Sequence, residues 1–178
     1  MSMKDKYMLR KTVLAAGTLL LAAVYILQVI LAGRSSVRNF VIGRPCDTIE
    51  IFSEEGGSAV LRRNGESWQV DGEEADRERA ALISDALLDI KTLSVISKSG
   101  GQDALERYGL TGPRKISVRV SSEGEELLYL EIGKDALGGQ QNYVRFSGKG
   151  DIYLAAGALR QKCSVSAAEL KALGGEVE

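Results

Sequence analysis

From Val13 to Ala32 the chain carries no charged residue. The run reads VLAAGTLLLAAVYILQVILA, with Gln28 its one strongly polar side chain. As a helix, twenty residues rise roughly 30 Å, the thickness of a bilayer's hydrocarbon core. A helix apolar on every face has no place on the surface of a small soluble domain. The run therefore predicts a single transmembrane helix over 12–33, with the lipid bilayer as partner through 13–32. Lys4, Lys6, Arg10 and Lys11 precede it, so the positive-inside rule makes 1–11 a cytoplasmic tail. Arg34 and Arg38 follow and weaken that asymmetry without reversing it. The competing reading is a cleaved signal peptide. Against it stand the length of the run and the poor small-x-small match at Ile30-Leu31-Ala32-Gly33. Gln28, Gly17 and the alanines could admit a second helix; a lipid-facing anchor is the simpler reading.

Beyond the span the balance of charge changes. Up to Arg38 six residues are basic and only Asp5 is acidic. Of the chain's 23 basic and 24 acidic residues this leaves 17 and 23, a net of −6. An acidic domain repels phosphate backbones, which argues against a nucleic-acid partner. The expected location is the cytoplasmic (inner) membrane of a bacterial-type cell, with the domain outside the cytoplasm.

The segment 34–46 reads as a juxtamembrane linker and 47–173 as one domain, with a frayed tail over 174–178. Thr48 to Ser53, Ser58 to Arg63 and Ser67 to Val70 read as strands. Asn64-Gly65 supplies a hairpin signal, because a type I′ turn needs positive φ at both central residues. Asp76 is a helix cap. Ile83, Ala86, Leu87, Ile90 and Leu93 recur three and four apart, which predicts one long packing helix from Asp76 to about Leu93. Ser94 to Ser97 is a short extended segment. Asp103 to Tyr108 is a brief helix, with Gly109 at the position of a left-handed cap and Pro113 preventing its resumption. Strands follow over Lys115–Ser121, Glu125–Ile132, Asn142–Phe146 and Asp151–Ala155. Ser166 and Glu169 have capping-box spacing for a last helix, ended by Gly174-Gly175. The fold class is α+β: a mainly antiparallel sheet with one long packing helix and short C-terminal helices, preceded by the single transmembrane helix.

Tyr108-Gly109-Leu110 followed by Pro113, then Leu130-Glu131-Ile132-Gly133-Lys134, Tyr143-Val144-Arg145 and Ile152-Tyr153-Leu154, form an ordered set. The set resembles the domain of unknown function 4340 family from about Thr48 to Leu173, and the Gly65-Glu66-Ser67-Trp68 hairpin is similar too. The resemblance implies a membrane-anchored extracytoplasmic protein. Some such proteins accompany ABC-type transporter components. Many carry the domain in tandem, whereas this chain has one copy. The family supplies no catalytic residue to carry over.

The chain has no histidine, which removes Ser-His and Cys-His catalysis and most zinc sites. No phosphate-loop or dinucleotide glycine spacing is present. No cofactor or metal is expected. The acidic groups Glu54-Glu55, Glu73-Glu74 and Glu123, Glu125, Glu126 read as solvated turns and strand ends, since no calcium-loop spacing surrounds them. Lys134, Tyr143, Arg145 and Lys149 are the candidate ligand or partner surface, with a solvated sheet face as the simpler alternative. Tyr108, Tyr129, Tyr143 and Tyr153 read as packing residues rather than a stacking platform. Cys46 and Cys163 both follow the span, where thiols tend to pair. Either they form a disulfide, or they are two buried unpaired side chains. The function expected from all this is a non-enzymatic interaction or assembly module beside a membrane complex such as an ABC-type transporter. A binding domain for a small envelope ligand, using the loop from Lys134 to Gln141 and the last hairpin, is the alternative, and a cell-envelope hydrolase comes third.

Overall fold

The computed structural model describes residues 3–32 and 38–171, with side chains over 14–28 and from 39 onward. Two units divide between Ser36 and Val37. The first holds helix α1, Met3–Ala32. Its side chains from Leu14 to Gln28 are all exposed, including Leu14, Leu19, Leu20, Leu21, Tyr25 and Leu27. Among the described residues no helix is long and apolar enough to cross a membrane. The described side chains of α1 number fifteen, and the expected span of 13–32 extends past them at both ends.

In the second unit, alternation of apolar and polar residues dictates the strands, since successive side chains point to opposite faces. These are β1 (Arg38–Val41), β2 (Thr48–Ser53), β3 (Gly57–Asn64), β4 (Ser67–Val70), β5 (Glu73–Glu74), β6 (Asp89–Ser97), β7 (Ile116–Ser122), β8 (Glu125–Asp135), β9 (Gln141–Phe146) and β10 (Ile152–Ala156). Helices α2 (Arg77–Leu88), α3 (Gln102–Arg107), α4 (Leu159–Cys163) and α5 (Ala167–Leu170) complete it. Among the described residues the strands form one sheet in the order β1-β6-β10-β9-β8-β7-β2-β3-β4-β5. Every neighbouring pair is antiparallel. Two meanders, β2 to β5 and β7 to β10, are joined where β2 pairs with β7.

One face of this sheet is covered. Ile49, Ile51, Leu61, Val70, Val118, Val120, Leu130, Ile132 and Val144 bury their side chains against Ile83 and Leu87 of α2, Leu159 and Cys163 of α4, and Leu170 of α5. Asp76 caps α2, its carboxylate accepting from Arg79 N at 2.9 Å. The capping box at Ser166 and Glu169 is present, although α5 is only four residues long. The C-terminal glycine stop at 174–175 and the tail after it lie outside the described residues.

Three expectations change. The long helix stops at Leu88, where Asp89 donates its N–H to Asp85 O, and Ile90 and Leu93 belong to β6. Ile90 and Thr92 are buried by strand alternation, held between β1 and β10 by backbone pairing. The segment read as a linker over 34–46 contains β1, which pairs with β6, and Phe40 there stacks on Phe146 with ring centroids 3.9 Å apart. In the β3–β4 hairpin Asn64 pairs with Ser67, so the two loop residues are Gly65 and Glu66, with Gly65 at φ +64°. That is the glycine-first turn rather than the expected type I′ turn. Double positive-φ turns stand instead at Asp71-Gly72 and Glu123-Gly124.

Candidate functional site

The second face of the sheet is half covered. The chain from Ser99 to Leu110 crosses it over β8, β9 and β10. Ile152 and Leu110 are buried there, and the Tyr108 ring lies 4.6 Å from that of Tyr143. This segment is fastened by the two glycine motifs. Gly109, at φ +68°, ends α3 in the left-handed conformation, and Leu110 N returns to Leu105 O. Lys134 N donates to Tyr108 O at 3.0 Å. A Cβ on Gly133 would run into that same carbonyl oxygen, so only glycine fits. Tyr108-Gly109-Leu110 and Ile132-Gly133-Lys134, far apart in sequence, are thus two halves of one contact.

Toward β7, β2 and β3 the same face is open. Phe52 is 56% exposed there, and a shallow hollow of about 360 Å³ is lined by Glu50, Phe52, Lys115, Ser117, Arg119 and Tyr129. Arg119 stands over Tyr129, with its guanidinium carbon 5.7 Å from the ring centre, and pairs with Glu126 at 3.0 Å and Glu50 at 3.2 Å.

The four residues singled out as a surface do not gather. Tyr143 is packed under Tyr108. Arg145 is committed to Glu131, a buried carboxylate that accepts from Arg145 Nε at 2.6 Å and Lys115 Nζ at 3.1 Å. An unpaired carboxylate at that depth would be strongly destabilising, so these two cations are structural. Lys149 lies 4.3 Å above the Phe40 ring, past the end of β9. Lys134 is beside the start of β9, about a strand's length away, and lines a cleft of about 710 Å³. Arg107, Arg114 and Arg160 share that cleft with it. Sequence reasoning missed these three because they come from α3, a loop and α4, and no local spacing joins them.

The remaining candidates are explained by packing. Tyr153 is buried against Phe146, with centroids 5.6 Å apart. Glu73 pairs with Lys171 at 2.9 Å, and among the described residues no acidic group is arranged to hold a metal. Of the two readings of the cysteines, the structure has the second: Cys46 and Cys163 are both buried and unpaired, in one core cluster. Burial pushes the Cys163 thiol up to about 12. Burial also raises Cys46, against the lowering effect of a hydrogen bond with Ser84.

These features define a class: an antiparallel α+β sheet domain with α2, α4 and α5 on one face and a second face that the α3 segment covers only in part. The chain belongs to the family described as Domain of unknown function (DUF4340), whose model matches residues 58–172. The matched range includes both halves of the Gly109–Gly133 contact. Neither the curated proteins nor the solved structures contain a match to the chain.

Proposed function

We propose that this protein is a membrane-anchored, extracytoplasmic interaction module, accessory to a membrane complex such as an ABC-type transporter. The observation that carries the reading is the exposed apolar surface of α1, from Leu14 to Leu27. In water such a surface would greatly exceed the few hundred Å² that soluble proteins leave uncovered. A bilayer removes that cost, and the uncharged run of 13–32 has the length to span it. Lys4, Lys6, Arg10 and Lys11 favour a cytoplasmic N-terminus, which carries the α+β unit to the other side. The lack of histidine supports a non-enzymatic role. The open half of the second sheet face, with Phe52, Arg119 and Tyr129, is the surface offered to a partner. Alkaline carbonate extraction should leave the protein in the membrane pellet, and release into the supernatant would remove the anchor. Affinity purification in mild detergent should recover further membrane proteins; recovery of the protein alone would defeat the assembly reading. The alternative, a domain for a small envelope ligand, is supported by the cleft beside Lys134.

A further inference from the structure

We propose that the cleft where Tyr108-Gly109-Leu110 meets Ile132-Gly133-Lys134 binds the phosphate group of a phosphorylated compound. The charges around the cleft are four basic, Arg107, Arg114, Lys134 and Arg160, and three acidic, Glu55, Glu106 and Asp135. Each carboxylate has a hydrogen-bond or ion-pair partner, and the lining charges sum to +1. Glu55 pairs with Arg114 at 3.9 Å, Glu106 accepts from Gln102 Nε2 at 3.3 Å, and Asp135 accepts from Asn142 Nδ2 at 2.5 Å. Arg160 is held in place, its Nη1 donating to the carbonyls of Arg114 at 2.6 Å and Gly133 at 3.0 Å. Those bonds orient the guanidinium and leave its Nε and Nη2 hydrogens available. Among the described residues Arg107 and Lys134 have neither an ion pair nor a side-chain hydrogen bond.

Two unpaired cations beside a fixed guanidinium fork match a dianion with several acceptor oxygens. A single carboxylate would leave one cation without a partner. The volume of about 710 Å³ leaves room for more than the phosphate itself. The backbone explains how the cations meet. The Lys134 N–H bond to Tyr108 O ties the β8 strand to the end of α3, one residue from Arg107. The site lies wholly in the unit that begins at Val37, so it stands or falls independently of the membrane anchor.

The test is calorimetric titration of the full-length protein in phosphatidylcholine nanodiscs with glycerol 3-phosphate, inorganic phosphate and acetate. Both phosphates should bind at one site, and acetate more weakly. Arg107→Gln and Lys134→Gln should each weaken phosphate binding about tenfold, the loss that follows from removing one charge-assisted bond. Lys149→Gln, a cation of equal charge at the far end of β9, should leave binding unchanged. Absence of phosphate binding, wild-type affinity in both cleft variants, or an equal loss in Lys149→Gln would overturn the proposal. Thermal unfolding of each variant separates lost affinity from lost folding. Nanodiscs doped with phosphatidic acid identify the source. Competition with glycerol 3-phosphate would make the ligand a lipid headgroup, and undiminished binding would make it a soluble phosphate; either result retains the site.

Discussion

Gly133 shows how one residue can govern a contact between distant segments. Its φ is unremarkable; what it supplies is the absence of a Cβ where the Tyr108 carbonyl approaches. Gly133→Ala should force the α3 end away from β8 and cost about 1–3 kcal/mol, the usual penalty of overpacking. Gly43→Ala, at a glycine with open space around it, should fall within about 0.5 kcal/mol of wild type. The midpoint of urea unfolding at unchanged slope measures both. The buried thiols make a second residue-scale prediction. The thiol of Cys163 titrates at about 12 in the fold against 9.0 ordinarily, so the folded state holds its proton more tightly. Its contribution is complete below pH 9 and is lost as pH rises toward 12. Stability should therefore fall on the alkaline side, and Cys163→Ala should flatten that fall while lowering stability at neutral pH. Denaturation midpoints of the two proteins across that range check it. A thiol reagent should find both cysteines only after unfolding. The motif glycines were visible in the sequence, but their mutual contact was not, because nothing local distinguishes a glycine needed for close approach from one that merely ends a strand.

Among the elements, α2 and β6 divide a stretch whose sequence allows both. Ile83, Ala86, Leu87, Ile90 and Leu93 satisfy helical spacing, while Ile90 and Thr92 satisfy strand alternation. Pairing with β1 on one side and β10 on the other tips the balance from Asp89 onward, and those partners lie about fifty residues before and sixty after. The helix start, by contrast, was legible because the cap is local: Asp76 binds a backbone N–H three residues away. Asp76→Ala should destabilise the domain by about 1 kcal/mol, read from the thermal midpoint. Phe40→Ala should remove the stack on Phe146 and loosen the β1 edge, at a cost of about 2 kcal/mol because the ring is only half-buried. Faster amide exchange confined to β1 and its partner residues in β6 would locate that effect.

For the whole molecule, the two units make separate claims. Removal of 1–36 should leave the cooperative unfolding of the second unit unchanged, since its core and caps lie entirely beyond Val37. A lowered midpoint in differential scanning calorimetry would show that the first unit supports the second. The sequence by itself determined the apolar run, most strands, the caps, the family and the absence of a histidine-based site, because each rests on residues close together in the chain. Only the tertiary structure decided that two meanders make one sheet, that β1 belongs to it, that both thiols are unpaired, and that Lys134 lines one cleft with Arg107 and Arg160 while Arg145 neutralises a buried carboxylate. Those outcomes depend on which distant segments pair and which face each side chain is given, and alternation along a strand specifies two faces without saying what will cover either of them.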